Sequence, residues 1–264
     1  MTSHFTFGII GGTGMLGAAI ATGILSSGVV RPDRFWVSNS SGTAPELDRF
    51  GTVQATSDNA ELARACDVIL LCVPPAAAGK IAISAPDKLV ISVMAGLSLE
   101  RIAALSGAAR GVRAMSSPAA RQRLAFSPWT CSEAVTASDR ARVEALLGAC
   151  GVASEVPEES QVELYTALTG PVPGFVAYMA DSMTRYAIGH GVDPRVADRA
   201  TRQLFLAAGQ MMARGDSPAA QVREMVDYAG TTAAGLVALQ EGGFDAALAE
   251  GLDAAVEKTR KIAE

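Results

Sequence analysis

The 264-residue chain lacks the basic excess that a nucleic-acid-binding surface shows: 22 Lys and Arg stand against 27 Asp and Glu, a formal net charge of −5. Aromatic side chains are scarce at 5 %, while 26 glycines and many alanines point to tight backbone packing and helices. The four cysteines, Cys66, Cys72, Cys131 and Cys150, form no C-x-x-C pair and have no histidine pair beside them. That spacing argues for buried thiols in a reducing cytosol rather than a zinc site or a disulfide framework. Long apolar runs are missing too. The longest, Val68-Ile-Leu-Leu-Cys-Val73, is bounded by Asp67 and Pro74 and is far too short to cross a bilayer. The start, Met1-Thr-Ser-His-Phe-Thr-Phe, has neither the basic region nor the apolar stretch of a signal peptide. A soluble cytoplasmic protein is expected, with no nucleic-acid and no membrane partner.

What is present is a foldable chain. Apolar residues make up 49 % and charged residues 19 %, too apolar for intrinsic disorder, and 27.1 kDa is enough for a substantial core. Through about residue 157, short apolar or β-branched runs alternate with helical stretches. Phe5–Ile10, Phe35–Val37, Val68–Val73, Leu89–Val93 and Val112–Met115 read as strands, several without polar alternation, as in a sheet covered on both faces. Between them Met15–Ser27, Asp58–Ala65, Ala76–Ser84, Leu99–Leu105 and Ser138–Cys150 read as helices, the last capped by Ser138 and stopped at Gly151. Such alternation predicts an α/β, doubly wound parallel sheet over residues 1–157. From 158 to 264 no convincing strand occurs. Asp193-Pro194 and Ser217-Pro218 are cap-and-first-turn pairs that open helices. Val196, Ala200, Leu204, Ala208 and Met211 recur at spacings of three and four, one apolar stripe. This all-helical, alanine-rich part is expected to pack against a second copy of itself, giving a homodimer or higher homo-oligomer.

The strongest motif follows the first strand: Gly8-Ile-Ile-Gly11-Gly12-Thr13-Gly14-Met15-Leu16-Gly17. It holds G-x-G-x-x-G at Gly12, Gly14 and Gly17, between a strand and a helix, the context in which that pattern cradles a dinucleotide pyrophosphate. Gly11, Gly12, Thr13, Gly14, Met15 and Leu16 are therefore candidate cofactor-binding residues. An NAD site places Asp or Glu near the end of the second strand to hold the ribose 2′-hydroxyl. Here that stretch reads Ser38-Asn39-Ser40-Ser41, neutral donors without an acid, with Arg34 as the nearby cation in sequence. Ser38, Asn39 and Ser40 are thus read as contacts of NADP(H).

With the glycine turn placed, the chain resembles the pyrroline-5-carboxylate reductase family over nearly its whole length. Cys66-Asp-Val-Ile-Leu-Leu-Cys-Val-Pro74 is similar to the family's fourth strand, with Pro74 where the family carries a lysine. Val90-Ile-Ser-Val-Met-Ala95-Gly96-Leu resembles the next strand and its Ala-Gly turn, and Val112-Arg-Ala-Met115 the start of "V-R-x-M-P-N-T-P". Ala229-Gly230-Thr231-Thr232, followed by Leu239-Gln-Glu-Gly-Gly-Phe244, looks like the family's substrate loop and the helix after it. The resemblance implies that Cys72, Val73, Pro74, Ala95 and Gly96 also contact the cofactor. It further implies that Met115, Ser116, Gly230, Thr231 and Thr232 contact substrate, Thr232 being the catalytic candidate near the ring nitrogen. Family dimers interlock through the helical domain, and the active site lies between the cofactor domain of one chain and the helices of its partner.

Departures are equally specific. Met115-Ser116-Ser117-Pro118 lacks the family's Asn, Thr169-Gly170-Pro171-Val172-Pro173-Gly174-Phe175 replaces "S-G-S-G-P-A-Y", and Asp227-Tyr228-Ala229 precedes Gly230. The turn Gly-Gly-Thr-Gly is a form also found in F420-dependent NADP reductases. Independently of resemblance, Gly230-Thr231-Thr232 opening a helix suits an anion: glycine allows close approach, two hydroxyls donate, and the helix dipole favours negative charge. No Ser-His-Asp set, paired carboxylates or metal cluster is evident, which fits reduction of an imine that binds protonated. His190, in Gly189-His190-Gly191, reads as a helix-end residue. The expected activity is NADPH-dependent reduction of a cyclic imino acid, foremost 1-pyrroline-5-carboxylate to L-proline. The alternatives are a reductase of another imine or keto acid, and a non-catalytic dinucleotide-binding protein.

Overall fold

A computed structural model describes residues 5–170 and 174–262. Pro171, Val172 and Pro173 of the altered family motif, and Met1–His4 of the amino-terminal reading, lie outside the described residues. Packing divides the chain into two units, residues 1–172 with 255–264, and residues 173–254. The sequence boundary at 157/158 marks where strands end. By contacts, the helix after it and the last turns of the chain group with the sheet.

The first unit is built on β1 (Phe7–Ile10), followed by α1 (Met15–Ser27), β2 (Phe35–Ser38), β3 (Gln54–Thr56), α2 (Asn59–Ala65) and β4 (Val68–Leu71). Then come β5 (Leu89–Ser92), α3 (Leu99–Ser106), β6 (Arg110–Ala114), β7 (Ala125–Cys131), α4 (Ala137–Gly148), β8 (Gly151–Glu155) and α5 (Glu159–Thr169). The eight strands form one sheet in the order β3-β2-β1-β4-β5-β6-β7-β8, parallel from β3 to β6, with β7 antiparallel to β6 and β8 parallel to β7. Strands β1, β4 and β5 are buried at every position, which is why their sequences are apolar on both faces. Strand order reverses between β1 and β4, the crevice where such sheets bind ligands.

Three local readings are corrected by the structure. Residues 76–84 form no α-helix: Pro75–Lys80 is a short 3-10 turn that begins in the Pro74-Pro75 pair and ends before Ile81. α4 is capped two residues earlier than Ser138, by Thr136, whose hydroxyl accepts from Asp139 N–H at 3.2 Å while the Asp139 carboxylate accepts from Thr136 N–H. Burial works to raise the Asp139 pKa, but those Thr136 bonds and the Arg110 guanidinium outweigh it and hold the carboxyl below its ordinary range. Gly151 opens β8 rather than stopping a helix, at φ 149°, where an added Cβ would sit 2.1 Å from the Ala125 carbonyl oxygen.

The second unit holds α6 (Gly174–Gly189), α7 (Pro194–Met212), α8 (Pro218–Asp227), α9 (Thr231–Glu241) and the start of α10 (Phe244–Lys261). Asp193 and Ser217 cap α7 and α8 with a proline in the first turn of each. His190 packs on Tyr186 and bonds its carbonyl oxygen at 2.8 Å, beyond the end of α6. In α7 the stripe residues Val196, Leu204 and Met211 are exposed, and the buried side chains are Ala197 and Thr201. Periodicity identified the helix; what covers its apolar face is not in the single chain.

Candidate functional site

The turn after β1 is fixed from behind. Gly11 and Gly12 donate their N–H groups to the Ser38 carbonyl at 2.9 and 3.3 Å, tying the turn to the end of β2. Gly11 has φ 86°, and a Cβ there would lie 2.4 Å from the Cys72 carbonyl oxygen. A Cβ on Gly17 would meet the Gly11 carbonyl oxygen at 2.2 Å, so these glycines are required by packing. Gly14 differs. It caps α1 without a side-chain bond, and an added Cβ would find only the Gly11 carbonyl oxygen, at 3.4 Å. The first turn of α1 carries no acid, and the N–H groups of Met15, Leu16 and Gly17 precede the first intrahelical bond, which runs from Ala18 to Gly14 at 2.8 Å. Open space over Gly14 and unspent donors at a helix N-terminus fit a dinucleotide pyrophosphate.

At the end of β2 the side chains divide. Ser38 is buried and donates to Asn59 Oδ1 at 2.7 Å. Asn39 spends its amide on Thr43 O and its carbonyl on the N–H groups of Ser41 and Gly42, which shapes the loop. Ser40 is exposed at the tip. Arg34 precedes β2 and so lies at the opposite edge of the sheet, about 13 Å away by strand rise.

Beside the glycine turn a cavity of about 540 Å³ opens at the strand ends. It brings together Gly14, Met15 and Leu16 with Cys72, Val73 and Pro74 after β4, Ala95 after β5, and Met115 and Ser116 after β6. Gly11, Gly12 and Thr13 form the turn behind it, and Gly96, at φ 76°, shapes the loop next to Ala95. The lining is mostly apolar, and burial pushes the Cys72 thiol up to about 12, so it stays a neutral wall residue. Ser116 meets Ser127 at 3.1 Å, whereas the neighbouring Ser117 Oγ is buried without a partner among the described residues.

Sequence reasoning missed the other wall: Thr166 and Ala167 of α5 and Gly170 just after it, with Ala255, Lys258 and Thr259 of α10. These helices are fastened by charge. Arg113, 5 % exposed in β6, reaches Glu159 at 2.9 Å and Glu163 at 3.3 Å, and Glu163 takes Arg260 at 3.0 Å. Glu159 also accepts from Leu99 N–H at 2.8 Å. Only the carboxylate spacing in α5, Glu159 to Glu163, hinted at this network.

The remaining candidates lie in the helical unit. Gly230 caps α9 without a side-chain bond, Thr231 and Thr232 are exposed in its first turn, and no acid competes for the N-terminal N–H groups. Ala229, just before, is held at φ 54°, a conformation that favours glycine. No cluster of metal ligands occurs among the described residues.

Comparison with known proteins matches residues 159–262 to the family model "Pyrroline-5-carboxylate reductase dimerisation" and residues 6–96 to "NADP oxidoreductase coenzyme F420-dependent". Pyrroline-5-carboxylate reductase 2 of Bacillus subtilis is 31 % identical over 261 residues, covering 96 % of this chain and 94 % of its own. A pyrroline-5-carboxylate reductase structure from Coxiella burnetii superposes with TM-score 0.87 at 26 % identity, covering 99 % of this chain and 100 % of that one. A Plasmodium falciparum pyrroline carboxylate reductase, solved with NADP bound, shares the fold with TM-score 0.82 at 22 % identity and full coverage of both chains.

Proposed function

The chain belongs to the pyrroline-5-carboxylate reductase family, and on that premise we propose that it reduces 1-pyrroline-5-carboxylate to L-proline with NADP(H). The observation that carries the reading is the joining of the open Gly14 cradle to an apolar cavity lined by Met115 and Ser116. Reduced NADP, when bound, supplies a hydride for the carbon of a C=N bond. Gly14, Met15 and Leu16 would hold its pyrophosphate through backbone donors, and Val73, Pro74, Ala95 and Met115 would exclude water around the reacting ring. Among the described residues lining this cavity, Lys258 and the neutral Cys72 thiol are the titratable groups, and none of them is a carboxylic acid or imidazole that could protonate the nitrogen. The imine therefore needs to arrive protonated, and orientation in a dry pocket supplies the rest. Gly230, Thr231 and Thr232 would hold the substrate carboxylate at the start of α9.

The test is turnover of a panel of cyclic imines and keto acids with NADPH. Preference for 1-pyrroline-5-carboxylate supports the assignment; preference for an uncarboxylated imine moves the substrate, as the altered Met115-Ser116-Ser117-Pro118 segment allows. Absence of turnover with intact NADPH binding leaves a non-catalytic dinucleotide-binding protein. Thr232→Ala is expected to leave NADPH affinity unchanged and to lower kcat by about 10²-fold if its hydroxyl bonds strengthen in the transition state. Unaltered kinetics would reduce the Thr231-Thr232 pair to a helix start.

Cofactor choice is tested at Ser40, the exposed tip after β2. Ser40→Asp is expected to weaken NADPH at least about tenfold through like-charge repulsion with the 2′-phosphate, while NADH is affected far less. Equal calorimetric losses for both cofactors would move the 2′-phosphate away from this loop. We also infer a homo-oligomer, at least a dimer, from the exposed apolar faces of the helical unit. We further propose a cytoplasmic location, a reading that the four free thiols support because a reducing compartment preserves them.

A further inference from the structure

We propose that Lys258 is the cation that binds an anionic group of the ligands held in the cavity beside Gly14, a role that rests on the cavity being the dinucleotide and imino-acid site. It is the one charged side chain among the described residues lining that cavity. Both expected ligands are anionic there, a pyrophosphate over the glycine turn and a carboxylate on the imino acid. The N-terminus of α1 contributes only a partial positive charge, about half a unit.

The last turn of α10 carries Lys258, Arg260 and Lys261. Two of these are already engaged: Arg260 with Glu163 at 3.0 Å, and Lys261 with Glu257 at 2.5 Å. The Lys258 ammonium has no hydrogen-bond or ion-pair partner among the described residues. Its neighbours on the cavity wall, Ala255, Thr259 and Ile262, bring no counter-charge. The Arg113–Glu163–Arg260 network anchors this turn to α5 and β6, so the ammonium is presented from a fixed element rather than a loose tail. A lysine at a helix C-terminus also faces its own last carbonyls favourably, which is why the sequence alone gave no reason to single it out. Its place on the cavity wall separates it from its two paired neighbours.

The experiment uses the full chain with Lys258→Met and Lys258→Arg, two substitutions at an exposed position. NADPH and NADP⁺ affinities are measured by calorimetry, and KM for 1-pyrroline-5-carboxylate is compared with KM for 1-pyrroline, which lacks the carboxylate. Loss of a charge-assisted contact is expected to cost about 10- to 100-fold in Lys258→Met, with most of it retained in Lys258→Arg. If the contact is to the pyrophosphate, the loss falls on both cofactor affinities. If it is to the carboxylate, cofactor affinities stay level and KM rises for 1-pyrroline-5-carboxylate but not for 1-pyrroline. Unchanged values in every arm overturn the proposal, and so does an equal loss in both variants, because that would make the role one of packing. A wild-type chain that binds NADPH but reduces neither imine fails the functional reading alone, and the cofactor arm then decides the role of Lys258.

Discussion

Gly14→Val is expected to lower NADPH affinity by at least about 10²-fold while the protein stays folded. Gly14 has φ −65° and ψ 165°, values any L-residue adopts, so no strained backbone is lost with the glycine. Within the chain the new Cβ would meet only the Gly11 carbonyl oxygen, at 3.4 Å, an ordinary contact. The space it fills is the space over the first N–H groups of α1, where a pyrophosphate has to come within hydrogen-bond distance of the backbone. Several charge-assisted bonds are blocked together, which is the reason for the large effect. Gly17→Ala makes the contrast, because its Cβ would lie 2.2 Å from the Gly11 carbonyl oxygen and must push strand and helix apart. That variant should lose thermal stability first and binding as a consequence. The check is calorimetric titration beside a melting curve for each variant. A Gly14→Val protein that binds NADPH as the wild type does would place the dinucleotide elsewhere.

Much of this was legible because local pattern and tertiary role coincide. The run before Gly11 is apolar at every position, as a central parallel strand must be, and the glycines after it have no substitute at that corner. α1 was bounded at Met15 and Ser27 as the structure has it. Where the two part, the sequence misleads. β7 carries Ser127, Pro128 and Thr130, which break an apolar pattern; Pro128 accepts from Met115 N–H at 3.1 Å and has no N–H to return, at the point where the β6 ladder stops. β3 is three residues long, Gln-Ala-Thr, too short and polar to announce itself. Ser38 was read by type, but as the last residue of β2 it is buried and spent on Asn59, whereas Ser40, beyond the strand end, is exposed. Lys258 sits in a basic last turn of the kind many helices have, and only the fold assigns it to a cavity.

The helical unit carries the second large effect. Among its described residues only Ala197, Thr201 and Ala233 are buried, while Tyr178, Met183, Tyr186, Val196, Leu204 and Met211 are exposed. A helical array with so little covered apolar surface has no sufficient core of its own, since each such side chain contributes about 1.5–3 kcal/mol only when removed from water. On α6, Tyr178, Met179, Met183 and Tyr186 recur on one face and line an apolar cavity with Phe175, Leu239, Phe244 and Leu248. A second copy, approaching by twofold symmetry, would meet the same face and cover it. Met183→Glu then places a carboxylate in that contact twice per dimer, and burying an unpaired charge costs several kcal/mol at each copy. The expected result is a fall in association constant of at least about 10³-fold. Light scattering at micromolar concentration should return at least twice the 27.1 kDa chain mass for the wild type and a dissociated or aggregated variant. Arg195→Glu, a charge change at an exposed position in the first turn of α7, should leave the assembly intact. A wild-type particle of 27.1 kDa would mean that these faces are covered by something other than a copy of this chain.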